Sequence, residues 1–280
     1  VTPTFGARLV TATAARGPLC AGIDPHPALL DSWGCDRDPA GLERFALRAT
    51  EVLAPRVAVI KPQSALFEAH GPAGMGVLQR VIERARAAGA LVLLDVKRGD
   101  IGSTMAGYSA AYLDSGGAFT ADAITVSPYL GFGSLRPALD TARESGAGVF
   151  VLSRTSNPES AAVQLARLDD GRTVAQSIVD EVAECNVGAV PCGDVGVVVG
   201  ATTTPGDVDL TGMHGPILAP GFGAQGAGVH DLRRVFGNNT RRLLPVAARS
   251  ILAHGPEEQK LASAVCRTVE MVAPLTETGP

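Results

Sequence analysis

The chain has 280 residues and a formal charge of 24 − 28 = −4, which disfavours nucleic acid as a partner. It is 46% hydrophobic and 19% charged, enough apolar material for a sizeable core and too much for a disordered chain. Its 33 glycines and 4% aromatics suit a barrel or a doubly wound α/β domain with tight turns.

In chain order, short Val/Leu/Ile-rich runs alternate with amphipathic stretches. The runs cover 19–23, 57–60, 91–96, 123–126, 148–152, 195–199, 217–219 and 243–247. Uninterrupted apolar runs of this length predict strands buried on both faces, as in a parallel sheet. Between them, 76–88 places Val77, Leu78, Val81, Ile82 and Ala85 on one helical face and most of its charges on the other. Segments 172–185 and 257–272 have similar periods, and Pro256 is expected in the first turn of the latter helix. Segment 186–194, with Gly188, Pro191 and Gly193, is expected to be a loose insertion. Eight strands alternating with helices predict a (β/α)8 TIM barrel, one domain over 1–280. The rival is a doubly wound open sheet, but Gly-Ile-Asp-Pro rather than GxGxxG follows the first strand.

Five cysteines at 20, 35, 185, 192 and 266, with no CxxC, read as free thiols of a reducing cytoplasm. The Val1-Thr2-Pro3 start has no basic-then-apolar leader, so none is expected. No run approaches the roughly 18 apolar residues of a membrane span. The five histidines form no ligand spacing and no nucleophile elbow is present, so no metal site is expected.

A barrel does its chemistry where strands end. Asp24 follows the first run, Lys61 the second, and Asp95, Lys97 and Asp100 close the third. Ser127 follows the fourth run; Ser153, Thr155 and Ser156 the fifth; Gly200, Ala201 and Thr202 the sixth. A glycine-rich stretch, 220–226, follows the seventh, and Arg249 the eighth. On an extended strand Asp95 and Lys97 point the same way. A lysine between carboxylates keeps its proton and is a positioned donor. The plain alternative is a structural ion pair, but three charges near a core are costly unless used. Backbone at 220–226 beside Arg249 suits a phosphate clamp. Asp24 and Lys61 on the same rim suit sugar hydroxyls.

Asp95-x-Lys97-x-x-Asp100-Ile101 matches the D-x-K-x-x-D-I motif of orotidine 5'-monophosphate decarboxylases. The longer run 95–108 resembles the longer-chain bacterial branch of that family. So do Gly22-Ile-Asp-Pro-His-Pro27, Lys61-Pro-Gln63, 127–133, 155–158, 199–202 and 220–226, in order along the chain. Sugar-phosphate decarboxylases of the same superfamily share the short motif; the ordered set is the specific signal.

The resemblance implies a cofactor-free barrel enzyme that converts orotidine 5'-monophosphate to UMP in pyrimidine synthesis. It implies that Lys97 protonates C6, that Asp95 sits near the substrate carboxylate, and that Lys61 extends the charge array. Asp24 and Lys61 would bind ribose hydroxyls. Ser156 and Gln225 would meet the pyrimidine, and Pro220, Gln225 and Arg249 would line the phosphate end. Asp100, Ile101 and Thr104 would complete the site of a neighbouring subunit in a homodimer. The 220–228 loop would be the lid. Ala248 departs from the glycine many members carry before the arginine, although a backbone N–H remains there. Two other readings stay open: a metal-dependent sugar-phosphate decarboxylase or epimerase, and a non-catalytic nucleotide-binding barrel.

Overall fold

The computed structural model describes residues 3–276 apart from Gln225. The apolar runs form β1 (Cys20–Ile23), β2 (Val59–Pro62), β3 (Leu91–Arg98), β4 (Ala123–Val126), β5 (Gly148–Arg154), β6 (Val195–Val199), β7 (Ile217–Pro220) and β8 (Leu243–Ala247). They close into a barrel in sequence order, with β8 pairing back to β1 and every neighbouring pair parallel. The (β/α)8 architecture expected from the sequence is the observed one.

Parallel neighbours need long crossovers, usually helical. Helix α1 (Phe5–Arg16) precedes the barrel. Then α2 (Pro39–Leu53), α3 (Gly71–Ala87), α4 (Gly102–Tyr112), α5 (Arg136–Ser145) and α6 (Val174–Cys185) follow β1 to β5 in turn. Helices α7 (Val229–Phe236) and α8 (Glu258–Val272) follow β7 and β8. The expected face of α3 is the buried one, with Val77, Leu78, Val81, Ile82 and Ala85 all inward. That helix starts at Gly71, earlier than its apolar period suggests, because Pro72 occupies its first turn. Pro256 stands just outside α8 rather than in its first turn, since Glu257 is the N-cap.

The β6–β7 connection has no helix. Residues 200–216 are rich in Thr, Gly, Pro and Asp, which favour turns over helical backbone. The segment is nevertheless anchored. Leu210 and Met213 are buried, Asp207 pairs with Arg154 at 2.8 Å, and the Asp209 N–H donates to Gln176 at 2.7 Å. Segment 186–194 is pinned at both ends, while Val187 and Val190 between them are exposed. Buried Asn186 donates to the carbonyls of Val195 and Met213, and Asp194 Oδ1 accepts the Gly6 N–H.

Two apolar layers build the core. One lies between strands and helices. The other fills the barrel, where Cys20, Val59, Leu93, Ala123, Phe150, Val198, Leu218 and Val246 meet Phe5 and Leu9 of α1. Phe5 packs edge-on against Phe150, centroids 5.9 Å apart, and plugs the N-terminal mouth. Gly148 is required there, because a Cβ would lie 2.3 Å from the Phe5 ring. Side chains alternate along a strand, so the next inward positions form the layer above this one, toward the C-terminal mouth. Those positions are Gly22, Lys61, Asp95, Thr125, Leu152, Gly200, Pro220 and Ala248.

Candidate active site

A cavity of about 510 Å³ opens at that mouth. It is lined by Asp24, Lys61, Asp95, Lys97, Ser156, Pro220 and Arg249 among others, so these sequence-predicted residues share one site. Leu152, Val198, Phe222 and Val246 add an apolar wall. The charged lining is Lys61, Lys97 and Arg249 against Asp24 and Asp95, or 3 − 2 = +1, inside a chain of −4. That inversion favours an anionic ligand. A larger depression of about 630 Å³ lies outside the barrel by α5 and α6 and receives no strand end.

Asp95 is the hub. Its Oδ2 accepts Lys61 Nζ at 2.9 Å, and its Oδ1 accepts Lys97 Nζ at 2.5 Å and the Thr125 hydroxyl at 2.8 Å. Burial alone would raise the Asp95 pKa, but the ammonium groups of Lys61 and Lys97 outweigh it and hold the carboxyl well below its ordinary range. Burial alone would lower Lys61, but Asp95 and then Asp24 reverse the sign and hold that ammonium above its ordinary range. Lys61 also donates to Gln63 Oε1 at 3.4 Å and lies 4.0 Å from Asp24 Oδ1. That Asp24 oxygen is buried and accepts no hydrogen bond among the described residues.

The strand boundaries refine the expected geometry. Lys61 lies within β2 rather than after it, and β3 continues to Arg98, so Asp95 and Lys97 are strand residues. Lys97 is not extended, however: its φ is 45°, in the left-handed region. Here β3 is irregular. Leu94 pairs with Ile124 and Arg98 with Val126, so four steps on β3 match two on β4. The bulge still brings Lys97 Nζ back onto Asp95. Arg98 then faces outward, pairing with Glu68 at 2.6 Å and lying over the Tyr108 and Tyr112 rings of α4.

Asp100, Ile101 and Thr104 do not line the cavity. Ile101 is 63% exposed, and exposed Tyr129 and Leu130 lie on the loop after the next strand. Ser153 points away from the site and donates to Ala175 of α6. Arg249 is exposed, and its side chain makes no hydrogen bond or ion pair among the described residues. Gln225 lies outside the described residues. Sequence reasoning missed Thr125 and Gln63 as part of the array. Inward alternation on β2 and β4 was the signal for both.

Among the described residues no three His, Cys, Asp or Glu side chains gather as a metal site, and no helix is long and apolar enough to cross a membrane.

Fold and cavity together define a (β/α)8-barrel enzyme with a lysine held by a buried carboxylate at the C-terminal mouth of the barrel. Residues 17–264 match the orotidine 5'-phosphate decarboxylase / HUMPS family, and the chain belongs to it. It is 56% identical to the orotidine 5'-phosphate decarboxylase of Salinispora tropica, over 95% of this chain and 96% of that one. It is 54% identical to the enzyme of the same name from Streptomyces coelicolor, over 94% and 95%. The crystal structure of a Streptomyces avermitilis protein bearing that activity name superposes with a TM-score of 0.95 at 52% identity, covering 98% of this chain and 96% of that one.

Proposed function

We propose that the chain decarboxylates orotidine 5'-monophosphate to UMP in de novo pyrimidine biosynthesis, without a cofactor, using Lys97 as proton donor. The observation that supports this most is the Asp95 carboxylate held between Lys61 and Lys97 in a net-positive cavity with Arg249 on its rim. The substrate phosphate pairs with Arg249 beside the backbone of Pro220 and Gly221. The Asp24 oxygen that lacks a donor accepts a hydrogen bond from one ribose hydroxyl, and Lys61 meets the other hydroxyl. Ser156 and Gln225 face the pyrimidine.

In the reaction the bond from C6 to its carboxylate breaks, carbon dioxide leaves, and the electron pair stays on C6. Lys97 Nζ gives its proton to C6, and water restores it. The carbanion is poorly stabilised, and slow reactions of this kind demand up to about 20 kcal/mol of barrier reduction. A fixed ammonium at C6 supplies part of it as preorganised charge. Asp95 next to the departing carboxylate adds repulsion that eases on its loss. Phosphate binding draws the 220–228 loop over the site as a lid.

Asp100, Ile101 and Thr104 reach a neighbouring subunit's cavity in a homodimer, a reading supported by their place outside their own. The enzyme is cytoplasmic in this reading, consistent with scattered free cysteines.

Absorbance loss of orotidine monophosphate, followed with EDTA present for the unmodified chain and Lys97→Ala, tests the proposal. Turnover in EDTA that Lys97→Ala abolishes is expected. Turnover surviving Lys97→Ala defeats the Lys97 assignment. Chelator-sensitive activity favours a metal-dependent sugar-phosphate relative, and binding without turnover favours a non-catalytic barrel.

A further inference from the structure

We propose that Thr125 is the positioning residue that aims Lys97 at the reacting carbon; the inference rests on Lys97 being the proton donor. Thr125 sits in the middle of β4, 1% exposed, and is not among the residues lining the cavity. Its hydroxyl makes two bonds of opposite sense. It donates to Asp95 Oδ1 at 2.8 Å and accepts the Lys97 backbone N–H at 3.0 Å. The direction is fixed by chemistry, because an ionised carboxylate only accepts and an amide N–H only donates.

Those bonds fall where β3 departs from regular geometry. Lys97 and His214 are the non-glycine residues at positive φ among those described, and such backbone persists only where its surroundings over-determine it. Leu94 pairs with Ile124 and Arg98 with Val126, which leaves Thr125 alone opposite Asp95, Val96 and Lys97. One hydroxyl therefore ties both ends of the dyad. It fixes the backbone from which the Lys97 side chain springs, and it fixes the carboxylate oxygen that Lys97 Nζ contacts at 2.5 Å. Without it, Asp95 Oδ1 keeps Lys97 as its partner but loses the donor that sets its rotation. The Lys97 amide then lacks the acceptor that holds the bulge.

The test is the kinetics of Thr125→Val, which keeps shape and deletes the hydroxyl, beside Thr125→Ser and Thr125→Ala. Exchange of the C6 hydrogen of UMP in deuterated water is read in parallel, since it reports proton transfer at that carbon alone. Thr125→Val is expected to lower kcat about tenfold to hundredfold, because small misplacements of a reacting group have effects of that size. The exchange rate falls in step, while KM and UMP affinity stay within about twofold. Thr125→Ser restores both rates.

Retention of kcat and exchange by Thr125→Val overturns the proposal. So does a loss that appears equally in Thr125→Ser. Should the valine variant not fold, the Ser/Ala pair decides: a high serine and a low alanine rate support the role, and equal rates overturn it. Lys97→Ala is the separate control. If it retains exchange and turnover, the donor assignment falls and this inference with it. If it is inactive while Thr125→Val is unimpaired, only the Thr125 role falls.

Discussion

Lys61 and Lys97 contact opposite oxygens of one carboxylate, yet their side chains are 5% and 45% exposed. The two lysines therefore differ in what their loss does. Removing Lys61 leaves buried Asp95 and half-buried Asp24 without their main counter-charge. Breaking a buried pair this way costs about 3–5 kcal/mol. Lys97 faces the cavity, where solvent screens it, and its contribution to stability is about 1 kcal/mol or less. Urea unfolding of Lys61→Met and Lys97→Met should show this split. The rates should reverse it: Lys97→Met keeps its fold and loses roughly 10²–10⁴ in kcat, the usual range for a general acid.

The same array sets a pH prediction. Asp95 is held below its ordinary value of 3.8, so its stabilisation is full above that pH and is lost as pH falls toward the folded value. Lys61 is held above its ordinary 10.5, so its stabilisation is full below that pH and is lost as pH rises through the folded value. Neither group titrates near neutrality. An acid limb in kcat/KM near pH 6 is expected from the substrate phosphate, whose second pKa is about 6. A limb at that pH that persists with a phosphonate analogue of shifted pKa would count against this assignment.

Much of the site was legible because polar residues ended apolar runs. Asp24, Asp95, Lys97 and Arg249 announce themselves this way. Thr125 does not, because it sits inside a run and its two partners come from a different strand. The left-handed backbone of Lys97 was hidden for a related reason. Lysine has no preference for positive φ, and the conformation is imposed by β4 across the ladder. The anchoring of 186–194 was unreadable too, since Asn186 finds its partners at Val195 and Met213 only after the barrel has closed. The missing β6–β7 helix was readable in principle. Pro205, Gly206, Asp207, Asp209 and Gly212 stand where a crossover helix would run, and each favours turns over helical backbone.

The Arg249 side chain stands exposed at the cavity rim with no protein partner among the described residues, so its loss should not disturb the fold. A charge-assisted hydrogen bond to phosphate is worth about 1.5–3 kcal/mol, or roughly ten- to a hundredfold in kcat/KM. Arg249→Ala should lose that much with thermal stability unchanged. Orotidine lacking its phosphate should be turned over equally by both proteins. A deficit with the truncated substrate would mean that Arg249 acts on the reacting carbon rather than on the phosphate.

The homodimer can be tested through the sites themselves. Lys97 lines the cavity of its own chain, whereas Asp100 does not line that cavity. If Asp100 completes a neighbour's site, Lys97→Ala and Asp100→Ala damage different halves of each shared pair. In a hybrid of the two variants, one site combines both lesions and the other has neither. Random reassembly of an equal mixture places half the dimers in hybrid form, so activity should return to roughly a quarter of the unmodified level. Each variant alone should stay inactive. If Asp100 serves its own chain instead, every hybrid site keeps one lesion and mixing recovers nothing. Sedimentation of the mixture must show dimers in either case, and a monomeric chain with full activity would defeat the shared site altogether.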